Sequence, residues 1–408
     1  MNQPKIHADD RMRWRMLAYL SIALVFSWST WFSATAVIPQ LRDIWALSPS
    51  AAAWLTIAVQ LGFVVGAVIS SLFNIADIVA SRYVIMVGAM GAATANALLL
   101  VADGPEYGIP LRFATGFFLA GVYPPSFKLL STWYRENRGL ALGILAAAIV
   151  VGGGIPHLIN ALGGLDWRVA ISVTSLQALT ASLIAVFLIK EGPYPFPKAI
   201  ADLRQIGLAL ANRGVRLATL GYVGHMWELF AMYTWILIFF IDVLNFHEVE
   251  LGVAVAYITF AVSIAGAIGS WFGGILADRW GRTNTTILLL AVSGSCAILI
   301  GLVNQSSLPL TLLIGLVWGL SITGDSAQFS TIVTETADQF YVGTALTVQL
   351  AAGFSMTVVT IWLLPILQEM LSWRWAFSLL AIGPIIGIWA MLRLKSLPES
   401  AKIGGGRG

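Results

Sequence analysis

The sequence predicts an all-α membrane protein of about twelve transmembrane helices, built as two six-helix bundles related by a pseudo-twofold axis. Of its 408 residues, 58% are hydrophobic and only 11% are charged, whereas soluble proteins carry about 25% charged residues. Apolar segments of about 20 residues recur along the whole chain. Short motifs also repeat between its two halves. A soluble fold of this size could not bury so much apolar surface, but a bilayer solvates it.

The predicted spans are separated by short connections, except for one polar stretch at 191–215. We therefore expect an N-terminal bundle (1–190), a cytoplasmic linker (191–215) and a C-terminal bundle (216–408). The first span follows a basic segment and is too long for the apolar core of a signal peptide. In order, the predicted spans are 16–40, 51–74, 83–102, 109–133, 138–162, 168–190, 216–243, 251–275, 284–303, 307–331, 342–367 and 373–393.

The basic residues predict the orientation of the chain. Of 23 lysines and arginines, 18 fall on the side of the two termini, and four (Arg42, Arg112, Arg168 and Arg374) fall on the other side. Lys128 is the remaining base and lies within a span. Since cytoplasmic loops are enriched in lysine and arginine, we expect both termini in the cytoplasm of a protein of the bacterial inner membrane.

An internal repeat relates the two halves. The segment LDWRVA (165–170) precedes the sixth span, and LSWRWA (371–376) precedes the twelfth, 206 positions later. Asp77 and Asp278 follow the second span of each half. A parallel repeat of six helices predicts a substrate site between the bundles, near the middle of the bilayer.

Two motifs resemble the major facilitator superfamily, and the similarity extends over essentially the full length. The loop GILADRWGR (274–282) is similar to the loop motif of that family, and Arg112 with Gly116 is similar to its fourth-helix motif. The resemblance implies a secondary transporter. It also implies a gating latch formed by Asp278, Arg279 and Arg282, with a degraded copy at Asp77 and Arg82; plain cytoplasmic anchoring is the alternative.

The seventh span carries Gly221, His225 and Glu228 in a pattern loosely similar to bacterial cyanate- and nitrate-type anion permeases. The glycine-rich signature of the nitrate permeases is missing, so the resemblance does not supply a substrate. For Arg112 the family implies proton coupling or organisation of the outer half of its helix. An arginine that extends its head group to the membrane surface is the alternative.

Ionisable groups within a span are costly, at about 2.5–3.5 kcal/mol on insertion scales, and are therefore candidates for function. We expect Glu228 to line the central cavity and to carry the coupled proton, because burial favours the neutral form of a carboxyl group. His225 and Asp325 are the further proton-coupling candidates. The alternative is a hydrogen-bonded pair that only locks helix seven to a neighbour.

Polar and aromatic residues at the same depth are predicted to bind the solute, although each could instead pack between helices. Arg112 and Lys128 favour an anion, and Lys128 could contact Asp325 across the cavity. The predicted binding residues are Trp28, Trp31, Thr35, Gln60, Arg112, Tyr123, Lys128, Trp235, Tyr257 and Gln349.

The predicted function is secondary active transport of a small polar, anionic solute, coupled to protons and working by alternating access. The alternatives are a transporter-fold receptor or assembly protein without transport, and an exporter of a neutral or weakly basic solute by proton antiport. We expect no enzyme activity and no cofactor, because no phosphate-binding loop is present. The four scattered histidines and single cysteine predict no metal site. The expected partners are the solute, protons and lipid, with no nucleic acid, around a monomer.

Overall fold

The computed structural model describes residues 10–73, 75–134, 138–162, 166–194, 204–250, 252–338 and 342–406. Within these ranges the chain forms α- and 3₁₀-helices and no strand, as the sequence predicts. The helices of the first half are α1 (Asp10–Trp28), α2 (Ile38–Ile44), α3 (Pro49–Leu72), α4 (Ile75–Ile78), α5 (Ser81–Ala97), α6 (Pro105–Leu119), α7 (Tyr123–Ser131), α8 (Arg138–Leu162) and α9 (Trp167–Phe187).

The second half begins with a short helix and continues through long apolar ones. Its helices are α10 (Arg204–Ala211), α11 (Arg213–Phe246), α12 (Ala254–Trp280), α13 (Arg282–Val303), α14 (Leu308–Gly324), α15 (Ser326–Thr336), α16 (Val342–Ala376) and α17 (Ile382–Lys395). The 3₁₀-helices are Thr35–Val37, Leu98–Val101, Phe377–Ala381 and Pro398–Gly405.

Nine stretches in the described part of the chain are long and apolar enough to cross a bilayer. They are Pro49–Ser70, Ser81–Val101, Leu140–Leu162, Trp167–Phe187, Arg213–Phe246, Ala254–Trp280, Arg282–Val303, Leu308–Thr336 and Val342–Lys395. The last of them covers both final predicted spans, and the chain leaves helical geometry within it at Ser372 (φ 55°, ψ 173°). The predicted spans 16–40 and 109–133 are not continuous helices.

The first predicted span is broken because hydroxyl side chains bind its backbone. After α1 ends at Trp28, the chain forms turns before the next helical residues. Ser29 and Thr30 each donate a hydrogen bond of 2.7 Å to the carbonyl oxygen three residues earlier. Such local bonds compete with the helical ladder, so the helix ends here, inside the predicted span.

The fourth predicted span is divided into α6 and α7 around residues 120–122. Pro124 and Pro125 occupy the first turn of α7, where a helix has no need of their missing N–H groups. Neither proline can donate to a carbonyl of the preceding turn. The helix therefore stops and restarts at this point.

Glycine allows α3 to cross α6 closely. A Cβ atom added to Gly62 would overlap the carbonyl oxygen of Phe113, and one added to Gly66 would lie 2.9 Å from the Cβ of Ala120. Backbones that approach this closely leave no room for a side chain, as in other small-residue crossings of membrane helices.

The second half repeats this crossing. Gly269 and Gly273 of α12 lie against the backbone carbonyls of Leu320 and Gly324 in α14, where any Cβ would overlap. Gly62 and Gly269 are 207 positions apart, and Gly66 and Gly273 share that separation. This interval is close to the 206 positions that separate the repeated sequence motifs.

Two helix pairs join the halves of the chain: α3 packs against α16, and α8 packs against α12. In the second pair a Cβ added to Gly154 would lie 2.6 Å from the Cβ of Ser263. The candidate site lies where rings from the two halves also meet.

Candidate functional site

Aromatic side chains from both halves meet in one cluster, which we call the aromatic layer. The first half contributes a stacked pair, Trp28 and Trp31, with ring centroids 4.5 Å apart. Trp31 also lies 5.6 Å from Phe230 and 5.9 Å from Phe354 in the second half. The full layer consists of Trp28, Trp31, Phe32, Phe63, Tyr123, Phe230, Tyr233 and Phe354.

Further ring pairs complete this contact between the halves. The rings of Phe63 and Phe354 are 4.6 Å apart, and Phe32 lies 6.1 Å from Phe230 and 6.2 Å from Tyr233. Because each pair has one member in each half, any separation of the halves at this depth must open the layer.

Four side chains in or beside the layer have buried polar atoms with no hydrogen-bond partner among the described residues. They are the indole N–H of Trp31, the hydroxyl of Tyr233, and both amide atoms of Gln60 and of Gln349. Gln60 lies one turn from Phe63 on α3. Gln349 lies one turn from Gly353, against which Tyr222 and Met226 pack. Buried polar groups are normally hydrogen-bonded, so the groups of Trp31, Gln60 and Gln349 are candidates to bind another polar molecule, whereas the hydroxyl of Tyr233 lies against Gly266 in α12.

Arg112 lies behind the layer and is fully buried. Its guanidinium donates to the carbonyl oxygens of Thr30 (2.8 Å), Trp31 and Leu55 (3.3 Å). The first two carbonyls belong to the break after α1, which has lost its helical partners. In a bilayer such carbonyls must be satisfied by the protein, and a guanidinium with five N–H donors can satisfy several at once.

Asn96 connects Arg112 to α9. Its side-chain oxygen accepts from Arg112 (3.3 Å) and from Ser33 (2.6 Å), and its amide nitrogen donates to Thr174 (3.1 Å) and Ser175 (2.9 Å). The carbonyl and amide oxygens that accept from Arg112 are all neutral. Its charge is therefore held by the backbone and side-chain dipoles around it.

His225 and Asp325 form a buried pair where α14 ends and α15 begins. Nδ1 of His225 lies 3.0 Å from Oδ1 of Asp325, at ion-pair distance, although the contact is not aligned as a hydrogen bond. Nε2 of His225 is 2.8 Å from the hydroxyl of Ser326. Each side chain is only 1% exposed. The predicted Lys128–Asp325 contact is thus replaced by a His225–Asp325 contact.

Glu228 faces away from the layer and is held by contacts within the second half, so its predicted place in the central cavity stays a prediction. Its Oε1 accepts from the indole N–H of Trp318 (2.7 Å) and its Oε2 from the hydroxyl of Ser293 (2.9 Å), both within the second half. Phe230, two positions later, contacts the first half. Two positions correspond to about 200° around a helix, so Glu228 lies on the opposite face of α11, which the sequence could not distinguish.

The predicted latch has a different acidic partner. Arg282 donates to both oxygens of Glu335 at the end of α15, at 2.9–3.1 Å. Asp278 is largely exposed and reaches Arg282 only at 4.0 Å. The backbone N–H of Gly404, in the last 3₁₀-helix, donates to Glu335 at 2.9 Å. The C-terminal segment therefore takes part in this contact, with Ile403 beside it fully buried.

The other predicted gating residues make weaker contacts. Arg279 is exposed. Arg82 donates to the hydroxyl of its neighbour Tyr83 at 2.9 Å, and its backbone N–H donates to Glu191 at 3.1 Å, both at an exposed position. The side chain of Asp77 lies outside the described part of the structure.

The family model described as Major Facilitator Superfamily matches residues 20–360. The chain belongs to the Major Facilitator Superfamily. A structural comparison agrees: a bacterial homologue of the human lysosomal transporter Spinster, in an inward-facing and occupied conformation, superposes with a TM-score of 0.73 at 13% identity, covering 95% of this chain and 98% of the other. At that identity the likeness shows a shared fold.

Curated relatives of this facilitator include transporters from fungi. A fujikurins efflux protein of Gibberella fujikuroi is 27% identical over 190 residues, which cover 43% of this chain and 37% of the relative. An MFS-type transporter of Gibberella moniliformis is 24% identical over 263 residues, covering 62% of this chain and 59% of the relative. In each case the chain covers less than two thirds of the relative's length.

Half of the predicted binding residues of this facilitator lie together. Trp28, Trp31 and Tyr123 belong to the aromatic layer, and Gln60 and Gln349 lie on the helices that carry Phe63 and Phe354, with amides that have no hydrogen-bond partner among the described residues. Lys128 is half-buried on α7, where its neighbour Phe127 contacts the ring of Tyr123. These residues come from α1, α3, α7 and α16.

The remaining predicted binding residues serve the packing of the facilitator. Thr35 bonds to Thr56 at 2.9 Å, Trp235 donates to the carbonyl of Ile361 at 3.1 Å, and Arg112 holds the break after α1. Tyr257 is 42% exposed and lies three helical turns from Ile268 on the outward stripe of α12. Tyr257 therefore lies on the exposed face of α12, and its place in the central site stays a prediction.

The sequence did not indicate four residues on which the site depends. Phe230 and Phe354 form the second-half side of the layer, but a chain with 20 phenylalanines gives no reason to choose these two. Asn96 could have been noticed as an amide within an apolar span. Glu335 carried a weaker signal, as an acid at the expected cytoplasmic end of a span.

Proposed function

We propose that this facilitator is a secondary transporter that moves an aromatic organic solute by alternating access. The observation that carries the proposal is the aromatic layer, to which both halves of the chain contribute rings. A solute held between these rings would be released to one side or the other as the halves rock against each other. Because rings of the two halves touch directly, rocking of the halves at this depth would also release the solute.

We further propose twelve spans, with both termini in the cytoplasm of a bacterial inner membrane. Nine apolar stretches support this count when three features are added. The last stretch is divided at Ser372 into two spans, α1 with α2 makes one broken span, and α6 with α7 makes another. The bundles would then be 1–190 and 216–408, joined by 191–215.

Electrostatics favour an anionic solute. Arg112 is fully buried beside Trp31, and the groups that accept its hydrogen bonds are neutral oxygens. Neutral dipoles solvate this positive charge, and none of the groups that accept from it is a carboxylate. Such a charge favours an anion nearby, because burial weakens screening. Export is the proposed direction, since one relative is named an efflux protein.

We assign proton coupling to His225 and Asp325 in place of Glu228. With a neutral imidazole the pair carries one negative charge, and a proton on His225 makes it neutral overall. That change acts where α14 gives way to α15, next to Tyr222 and Phe329, whose rings lie 6.0 and 5.6 Å from the imidazole. Such a helix break can adopt more than one geometry, so the proton can bias the two access states.

Purified protein in proteoliposomes tests the proposal through fluxes of benzoate, alizarin and ethidium, each with and without a pH gradient. We expect gradient-driven flux of at least one probe. Asp325→Asn should abolish the effect of the gradient but retain probe exchange at zero gradient, because the site is intact and only the coupling group has changed. Asp242→Asn is the matched control, since Asp242 accepts from Trp373 at the far end of α11. Gradient-driven flux that survives in Asp325→Asn would remove the coupling role, and absence of any probe flux would remove the transport proposal.

A further inference from the structure

We propose that the aromatic layer selects planar aromatic solutes bearing several oxygen atoms, such as hydroxylated quinones and polyphenols. The unpaired groups of Trp31, Gln60 and Gln349 would be the specificity determinants. This inference rests on the proposed transport function and adds the chemical class of the solute.

The rings determine the shape of the solute. Trp31 touches Phe63, Phe230 and Phe354 within 6 Å, and Phe63 with Phe354 forms the closest pair across the halves, at 4.6 Å. Rings at these spacings present flat faces and edges, which favour stacked or edge-on aromatic partners. A flat ring system can enter between such faces when the halves part by a single ring thickness, whereas a bulky aliphatic body cannot.

The orphaned polar atoms determine the chemistry of the solute. The indole of Trp31 can only donate, and Gln60 and Gln349 can donate and accept. Together these three side chains offer five N–H donors and two amide oxygens. Donors match carbonyl, hydroxyl and phenolate oxygens, and they match ammonium groups poorly. A site built to hydrogen-bond a solute also rejects analogues that leave its buried groups unpaired.

The nearby charges favour the same class of solute. Arg112 places a buried positive charge behind Trp31, to whose carbonyl it donates. The two intramembrane carboxylates do not counter it at the layer: Glu228 faces Ser293 and Trp318, and Asp325 lies against His225. An oxygen-rich aromatic, or its phenolate, is favoured over an aromatic cation.

In detergent, quenching of tryptophan fluorescence measures the affinity of alizarin and of ethidium for the wild-type protein, and displacement of alizarin measures that of 1-adamantanecarboxylate. Alizarin is planar and oxygen-rich, ethidium is planar and cationic, and 1-adamantanecarboxylate is anionic but not planar. We expect alizarin to bind at least about tenfold more tightly than either of the others. The wild-type comparison requires no variant to fold. Equal or tighter binding of ethidium or of 1-adamantanecarboxylate overturns the inference.

Leucine substitutions then test the amides, because leucine keeps roughly the volume of glutamine and removes its polar atoms. Gln60→Leu and Gln349→Leu should each weaken alizarin binding about tenfold and leave ethidium binding within about twofold. Gln177→Leu is the matched control, since that glutamine also has an unpaired buried oxygen but lies on α9, away from the layer. Unchanged alizarin affinity in both layer variants overturns the inference.

The outcomes separate this inference from the transport proposal. Proteoliposome flux of ethidium, with no preference for alizarin, contradicts the oxygen-rich class but leaves transport of an aromatic solute standing. In a different arrangement of α3 and α16, the two glutamines could bond only to each other. Gln60→Leu and Gln349→Leu would then change the thermal stability of the protein but not the ranking of the probes, and that result also counts against the inference. Absence of binding by alizarin, ethidium and 1-adamantanecarboxylate, together with absence of flux of benzoate, alizarin and ethidium, contradicts both proposals.

Discussion

Charged residues inside the bilayer could be located from the sequence, but their partners could not. Glu228 and Arg112 are both fully buried, and both are satisfied mainly by neutral groups: an indole and a hydroxyl for the acid, and carbonyl, amide and hydroxyl oxygens for the base. Helical periodicity does not say which face of a helix meets a cavity when all faces are apolar or buried. For this reason the sequence predicts that such a residue lies within a span but not the direction in which its side chain points.

Glu228 is expected to stabilise the second half without carrying the proton. Glu228→Gln should keep the pH dependence of transport, because an amide still accepts from Trp318 and can donate to the hydroxyl of Ser293. Glu228→Leu should lower the free energy of unfolding by roughly 1–3 kcal/mol, since it leaves the indole N–H of Trp318 without an acceptor and the hydroxyl of Ser293 with only its 3.2 Å bond to the carbonyl of Leu290. Thermal unfolding in detergent and proteoliposome flux measure the two effects.

The opposite pattern would restore the role first expected for Glu228. If Glu228→Gln abolished gradient-driven flux but left thermal stability unchanged, the carboxyl group would have to be acting as a proton carrier. The contacts to Ser293 and Trp318 would then describe only one state of the transport cycle.

At the scale of the helices, breaks were predictable only where proline causes them. Pro124 and Pro125 mark the division between α6 and α7 in the sequence itself. The break after Trp28 depends on Ser29 and Thr30, and such residues also occur within intact helices, so composition alone does not reveal it. The break is maintained from outside by Arg112, a long-range contact that a single sequence does not contain.

The Arg282–Glu335 contact is the shortest ion pair at the predicted latch among the described residues. Glu335→Gln should lower the free energy of unfolding by roughly 1.5–3 kcal/mol, because it removes a charge-assisted pair with two hydrogen bonds. It should also raise labelling of cysteines placed in α15. Asp278→Asn is the control and should change either quantity little, since Asp278 is 67% exposed.

A double-mutant cycle of Arg282→Gln with Glu335→Gln distinguishes this pair from general damage at the helix ends. We expect coupling between the two substitutions and near-additivity between Arg282→Gln and Asp278→Asn. Stronger coupling to Asp278 than to Glu335 would return the latch to the aspartate that the sequence motif suggested.

At the scale of the molecule, the repeat was the most predictable feature. Matching motifs about 206 positions apart indicated two similar halves, and the glycine crossings of α3 with α6 and of α12 with α14 recur at 207 positions. Which rings meet between the halves was not predictable. That pairing depends on the rotation of each helix about its own axis, to which every neighbouring helix contributes.

The predicted orientation can be tested with single cysteines in intact cells. Ser306→Cys, between α13 and α14, should react with a membrane-impermeant maleimide, and Ser396→Cys, after α17, should react only after permeabilisation. Both serines are exposed. The native Cys296 is buried and should therefore add little labelling of its own. Labelling of Ser396→Cys from outside would contradict cytoplasmic termini.

The anchoring of Gly404 to Glu335 has a practical consequence for anyone who produces this protein. An affinity tag or fluorescent reporter fused after residue 408 would follow a segment whose backbone N–H, at Gly404, donates to the same carboxylate as Arg282. Such a fusion would pull on that backbone and strain the Arg282–Glu335 contact, which holds α13 to α15. Purification handles therefore belong at the other end of the polypeptide, ahead of α1.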